Sequence, residues 1–274
     1  MRCRPVPVLL YHSVCADPPA WIAPFTVSPR VFAEHLDLLA DHGLEVVPLR
    51  RLLDAVGGGP PLPPRPAVLT FDDGFADFHT TVAPLLTARG LPATLYVTTG
   101  ALGGPSRPAG HGSLLPPAPM LTWPHLRELD RDFEIGGHTV THPQLDALPR
   151  SAAQREIAAC KATLEDALGH RVDAFAYPHG YSSRPVRRLV GEAGWTSATA
   201  VRHGFSSVAD EPLRLARLMV RADTPRGRYL DWVRGEGAPV APFPEGARTR
   251  VWRSYRRLRA GIDRPYRTLP PTTG

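Results

Sequence analysis

Two adjacent carboxylates end an apolar run at Leu69-Thr70-Phe71-Asp72-Asp73-Gly74. Burying one carboxylate is costly unless it is paired or bound to a cation, and burying two side by side costs more. The pair therefore asks for a metal, a basic partner or open water. A second stretch, Gly136-Gly137-His138-Thr139-Val140-Thr141-His142-Pro143, carries two histidines four residues apart after another apolar run. At a spacing of one helical turn both rings can face one point. One carboxylate oxygen and two imidazole nitrogens form a common ligand set for zinc and other first-row divalent ions. Three such ligands leave positions open for water and substrate. Alone, the histidine pair also suits two packing or surface residues; an Asp-Asp pair at another strand end favours the metal. One aspartate would then ligate the ion, and the other would act as general base on the activated water. Gly74 permits the tight turn that exposes both. A third stretch, Phe175-Ala176-Tyr177-Pro178-His179-Gly180, also ends an apolar run. A backbone N–H there could face a developing oxyanion, although spacing alone favours an ordinary strand-to-helix loop.

Alternating apolar runs and helical patterns must position these residues. Strands are predicted at Val6–Tyr11, Glu45–Pro48, Ala67–Phe71, Ala93–Thr98, Phe133–Gly136, Ala174–Tyr177, Ser197–Val201 and Leu215–Val220. Helices are predicted at Pro29–His42 (with Ser28 as N-cap and Gly43 past its end), Arg51–Val56, Ala76–Arg89, Trp123–Leu129, Pro149–Leu168, Pro185–Ala193 and Pro225–Val233. Gly57–Pro66 reads as a linker and Gly103–Met120 as a surface loop. The alternation predicts βα units, a mainly parallel sheet and an irregular (β/α) barrel of seven or eight strands. In such barrels the chemistry sits at the C-terminal ends of strands, where Asp72 and Asp73 fall. Residues 1–235 form the expected catalytic barrel, and 236–274 a Pro/Arg-rich tail.

The totals agree with one large globular unit: 274 residues, 43% hydrophobic and 21% charged. No apolar run reaches the ~18 residues of a membrane span. The N-terminal MRCRPVPVLLYHSV has the basic start of a signal peptide. Its apolar part is short, interrupted by prolines and followed by no small-residue cleavage site, so it is read as the first core strand. A cytoplasmic location is expected. Cys3, Cys15 and Cys160 are odd in number and far apart, which suits neither a zinc ribbon nor a disulfide framework. The net charge of +6 owes much to the arginines between Arg248 and Arg259. This segment reads as a solvated helix or tail; a weak peripheral contact with an anionic membrane is the alternative. Positive charge is the only feature pointing to nucleic acid, and it comes without a recognisable motif.

TFDDG followed by HTVTHP and a proline-containing strand end resembles the polysaccharide deacetylases of carbohydrate esterase family 4, the NodB-homology domain. The likeness spans about Val6 to Val233 and includes VLLYHSV, LPATLYVTTG and REIAACKATLEDALGHRVDAFAYPHG. It implies a distorted α/β barrel, (β/α)7-8, and one divalent metal, usually Zn2+, with Co2+, Mn2+ or Ni2+ as alternatives. The implied reaction is removal of acetyl groups from N-acetylated, sometimes O-acetylated, sugars. By this resemblance Asp72 is the general base, and Asp73, His138 and His142 are the metal ligands. His179 stands where a backbone N–H helps bind the oxyanion. Tyr177 and Pro178 belong to the substrate-binding third motif, and Trp195 would help wall the acetyl pocket.

Two departures matter. The family's Arg-Pro-Pro-Tyr is replaced by Ala176-Tyr177-Pro178-His179, so the arginine that usually holds the base is missing there. Arg217 is the substitute, as in the branch of the family with a YPxG motif. The late Leu-x-His that supplies a general acid is Leu213-Arg214-Leu215 here, which leaves His179, His203 and His12 as candidates. These departures also motivate a competing reading, a catalytically silent sugar-binding protein on the same barrel. The intact Asp72, Asp73, His138 and His142 weigh against it, since a binding module has no need of a base.

Overall fold

The computed structural model describes residues 4–103, 113–244 and 246–263. Cys3, much of the Gly103–Met120 loop and the end of the tail lie outside the described residues. Ten strands are found among those described: β1 (Val8–Tyr11), β2 (Ser13–Val14), β3 (Thr26–Val27), β4 (Glu45–Val46), β5 (Pro66–Phe71), β6 (Thr94–Val97), β7 (Glu134–Gly137), β8 (Ala174–Ala176), β9 (Ser197–Val201) and β10 (Leu215–Met219). The helices are α1 (Pro29–Asp41), α2 (Leu49–Val56), α3 (Ala83–Thr87), α4 (Trp123–Leu129), α5 (Arg150–Leu168), α6 (Arg184–Glu192), α7 (Arg226–Arg234) and α8 (Ala247–Asp263).

The main sheet runs β1-β10-β9-β8-β7-β6-β5, every pair parallel, and β1 also pairs with β5. That last pairing, Val8 opposite Val68 through Tyr11 opposite Phe71, closes a seven-strand barrel. β4 adds to β5 outside the ring, while β2 and β3 form a separate small ribbon.

Strand side chains alternate between two environments, as the period of two requires. Val8, Val68, Tyr96, Ala174, Ala176 and Leu215 share one cluster, the barrel interior. Leu9, Tyr11, Leu69, Phe71, Leu95, Ile135 and Phe175 belong to the larger layer beneath the surrounding helices. Leu49 and Leu52 of α2 join the interior cluster beside Val6 and Val8, at the starts of the strands. α2 thus stops one end of the barrel, and the chemistry must lie at the other.

Local signals explain several helix ends. Ser28 accepts a hydrogen bond from Val31 N–H at the start of α1. Gly169 adopts φ 76° at the end of α5, a conformation cheap only for glycine. The helix expected over Ala76–Arg89 is shorter than the pattern implied. A widened π-type turn occupies Phe78–Val82 before α3. Pro84 offers no N–H to the carbonyl four residues back, and its ring crowds that carbonyl, so a regular α-turn cannot run through it.

The 236–263 segment runs back over the barrel. Phe205 pairs with Val240, and α8 lies against the turn at Leu145–Ala147. Arg256 makes a two-pronged pair with Asp146 at 2.8 and 2.9 Å, and both side chains are buried. Its guanidinium sits 3.3 Å from the centre of the Tyr181 ring. No described helix is long and apolar enough to cross a membrane.

Candidate active site

The C-terminal ends of β5, β7 and β8 bring the three sequence motifs into one cleft. Asp72 and Asp73 follow β5 directly and are both buried. Asp73 takes φ 76° and Gly74 φ 90°, a pair of left-handed residues that turns the chain sharply. Thr139, His142 and His179 also have positive φ, so four of the five non-glycine residues of this kind found among those described stand at this site. Such conformations cost about 1–3 kcal/mol each and persist only where their surroundings enforce them.

The histidine pair does not converge as a helical turn. Residues 138–142 form an irregular loop with left-handed corners at Thr139 and His142. Glu156 of α5 enforces it: its carboxylate accepts from Val140 N–H at 3.0 Å, Thr141 N–H at 2.9 Å and the Thr141 hydroxyl at 2.8 Å. Thr139 Oγ1 accepts from His142 N–H at 3.0 Å. Nothing in the sequence singled out Glu156. It lies on the outer helix, and only the fold brings it under the loop.

Asp73, His138 and His142 meet. Asp73 Oδ1 lies 3.4 Å from His138 Nε2 and 3.2 Å from His142 Nε2. All three donor atoms fall within 4.8 Å of one another. A four- to six-coordinate ion with bonds of about 2.0–2.2 Å spaces its neighbouring ligands roughly 3.0–3.6 Å apart. The set also has its lone pairs available. Asp73 Oδ1 is buried with no hydrogen-bond partner. His138 donates its Nδ1–H to the Ala176 carbonyl at 2.8 Å, which fixes the tautomer and leaves Nε2 to bind an ion. The residues therefore fit a divalent metal, and the donor set does not select among Zn2+, Co2+, Mn2+ and Ni2+. Replacing Glu156 with Ala is expected to weaken metal binding by about 10–100-fold with the barrel intact. Competition against a chromogenic chelator measures this, and unchanged affinity would show that the loop holds its shape without Glu156.

Asp72 is held differently. Arg217 crosses from β10 and grips both its oxygens at 2.7 Å, while the same guanidinium donates to Thr70 Oγ1 at 3.3 Å. Burial alone would raise the Asp72 carboxyl, but Arg217, with His138 next, holds it below the usual carboxylate range. Burial works against Asp73 as well, and the two imidazoles outweigh it. Arg217 itself is fully buried, its guanidinium 5.6 Å from the centre of the Tyr96 ring. The arginine absent from the third motif is thus supplied from the last barrel strand.

The remaining sequence candidates divide. His179, with φ 57°, places its ring 4.6 Å from that of His142, and it lines the cleft. His12 lines it too, beside Asp72 and Asp73, with Nδ1 buried and unpartnered. His203 lines only an adjoining cavity. Tyr177 and Pro178 are buried behind the turn, and the Tyr177 hydroxyl donates to the Leu213 carbonyl at 2.8 Å. They shape the His179 corner without lining the cleft.

Trp195 is not brought to the cleft either. Its ring is buried behind β7, 5.2 Å from Phe175, and its Nε1–H donates to the Ile157 carbonyl at 3.4 Å. It approaches the backbone of Gly137 so closely that a Cβ there would lie 2.4 Å from its Cη2 and 2.9 Å from Cys160 Sγ. That contact explains the glycine just before His138. Gly137→Ala is expected to cost about 1–3 kcal/mol in urea unfolding, from overpacking of a full site. A cost near zero would mean that the Trp195 ring moves aside freely.

Comparison with known proteins agrees with this geometry. The family model for polysaccharide deacetylase matches residues 59–198, which contain both aspartates and three of the four histidines of the cleft, His138, His142 and His179. YxkH of Bacillus subtilis is 21% identical over 203 residues, 74% of this chain and 66% of that protein. The poly-beta-1,6-N-acetyl-D-glucosamine N-deacetylase of Escherichia coli is 31% identical over 118 residues, 42% of this chain. The chain spans just under two thirds of the former and 18% of the latter. Among solved structures, IcaB from Ammonifex degensii superposes with a TM-score of 0.73 at 24% identity, covering 84% of this chain and 97% of that one. The Streptococcus pyogenes deacetylase PplD, solved with acetate, gives 0.71 at 23%, covering 84% and 98%. At these identities the structures share the fold. With a family model spanning half the chain and the motif residues assembled in one cleft, the chain belongs to the polysaccharide deacetylase family.

Proposed function

We propose that the protein is a metal-dependent hydrolase that removes the acetyl group from an N-acetylated sugar, N-acetylglucosamine being the sugar tested first. The observation that carries this is the division of labour between neighbours: Asp73 joins two histidines as a ligand set, while Asp72 is clamped beside it by Arg217 at 2.7 Å. A carbohydrate-binding module has no use for a buried, ionised base next to a metal.

Asp73, His138 and His142 would hold the ion. Such an ion supplies Lewis acidity toward the amide carbonyl and lowers the pKa of water. Asp72, kept ionised, accepts the proton of the attacking water. The His179 corner presents backbone to the developing oxyanion. Of the three candidate histidines for protonating the leaving amine, His12 and His179 line the cleft; burial holds both below the usual imidazole range, so either passes on the proton that Asp72 accepted from water. The assignment to the branch with a YPxG motif rests on Tyr177-Pro178-His179-Gly180 together with the substitution by Arg217. The relative acting on poly-beta-1,6-N-acetyl-D-glucosamine supports an N-acetylglucosamine unit.

The test is acetate release from N-acetylglucosamine compounds, from the free sugar to oligomers and glycosides. Three preparations are compared: metal-loaded, chelated and reloaded protein. Release that disappears on chelation and returns on reloading supports the reading. Confirmed metal binding with no release from any compound would sink it in favour of a binding protein.

A further inference from the structure

Beside the cleft, which encloses about 550 Å3, lies a larger cavity of about 1020 Å3. The two share His179, Gly180, Tyr181, Val201 and Met219 as lining, so they adjoin at the His179 corner. The far wall is α8, which contributes Thr249, Val251, Trp252 and Tyr255, with Phe243 closing the side. α8 is fixed there by Arg256 on Asp146 and by Trp252 Nε1–H donating to the Tyr181 hydroxyl at 3.2 Å.

Several hydrogen-bonding side chains of this lining are committed within the protein. Among the described lining residues, Trp252 Nε1–H is spent on the Tyr181 hydroxyl at 3.2 Å, and Arg214 lies 3.6 Å from the Glu211 carboxylate. Its Arg202 is already engaged by Asp210 at 3.3 Å and by the Phe243 carbonyl at 2.5 Å. Most of the wall area is apolar, and Trp252 and Tyr255, 50% and 48% exposed, stack at 5.2 Å. A volume at the upper end of small-molecule sites, with mostly apolar walls, suits an apolar ligand. Leu258 of the same helix lines no part of this cavity, is 68% exposed and stands among arginines, while Val251 at the cavity rim is 70% exposed, a surface that suits an anionic membrane.

We infer that this cavity is a subsite for an apolar aglycone attached to the acetylated sugar, so that the substrate is an alkyl, prenyl or aryl glycoside and not a bare oligosaccharide. This rests on the deacetylase reading. The sugar occupies the metal cleft, and the aglycone passes the His179 corner to lie under α8. Every methylene buried there adds to affinity.

Acetate release is measured over methyl, butyl and octyl β-glycosides of N-acetylglucosamine, below micelle-forming concentrations, and over unsubstituted oligomers. The octyl compound should exceed the methyl compound in kcat/KM by about tenfold or more, with the oligomers no better than methyl. In a Trp252→Ala/Tyr255→Ala variant, with its fold checked by circular dichroism, the octyl-to-methyl ratio should fall to within about twofold of one. Octyl β-glucoside, which has no acetamide, probes the cavity separately by calorimetry. It should saturate wild type and bind the variant about tenfold more weakly.

Acetate release with a flat chain-length profile overturns the subsite and spares the deacetylase. Saturable glucoside binding, weakened in the variant but with no acetate release, upholds the subsite and removes the deacetylase. A preference for oligomers overturns the subsite. The same sugar on a lipid anchor in anionic vesicles separates the two sources: faster turnover there than on soluble octyl glycoside assigns a membrane lipid, and the reverse assigns a soluble glycoside. Either supports the subsite.

Discussion

Asp72→Asn is expected to bind metal as tightly as wild type and to lose about 10^2–10^4 of kcat. The ligand set Asp73, His138 and His142 is untouched by the change, so metal titration should be unaltered. What is lost is the proton acceptor, and general bases typically contribute a factor of that size. The substitution is nearly isosteric, and the Asn carbonyl can still accept one bond from Arg217. A fall in activity therefore reports chemistry if unfolding curves show the protein folded. Two measurements on one preparation decide the matter, metal stoichiometry and acetate release. A variant that kept more than a tenth of wild-type kcat would falsify the role of Asp72 as base.

Arg217→Gln is expected to cost more in stability than any other single change at the site, about 3–5 kcal/mol. The carboxylate of Asp72 is buried and has Arg217 on both oxygens. Removing the guanidinium strands a buried negative charge, and that desolvation penalty dominates. Lys in its place would not restore the pair, because one ammonium cannot match the two-pronged geometry. The double variant Asp72→Asn/Arg217→Gln removes the charge along with its partner. It should be more stable than Arg217→Gln alone, so a double-mutant cycle in urea should return a coupling of about 1–3 kcal/mol. Strict additivity would mean that Asp72 is neutralised by something other than Arg217.

Much of the architecture was legible because it rests on local patterns. Apolar runs of four to six residues announced the barrel strands, and their alternation with helical periods announced a parallel barrel. The Asp-Asp and His-x3-His stretches declared a metal-type chemistry by residue type alone. What was hidden depends on distant encounters. Arg217 meets Asp72 across 145 positions, and only the family resemblance had nominated it. Glu156 shapes the His138–His142 loop from a helix whose outward pattern resembles any other. The resemblance made Trp195 a pocket wall, yet its ring is buried in the layer behind Gly137. The docking of α8 hangs on Arg256 and Asp146, 110 positions apart, in a segment whose composition suggested only a charged tail.

The order of strands around the ring also governs how the protein can be made. β1 closes on β5 early in the chain, but its other neighbour is β10, the last strand of the barrel. During synthesis the ribosome releases the aspartates some 145 residues before the arginine that steadies one of them. A nascent chain stopped after β9 has two unpaired edges, on β1 and β9, which invite association with other chains. Its Asp72 lacks the Arg217 counter-charge. Completion of the ring and the pairing of Asp72 with Arg217 are therefore one event, which waits for β10. A fragment ending at residue 198 would carry every recognisable motif residue and still lack a finished active site.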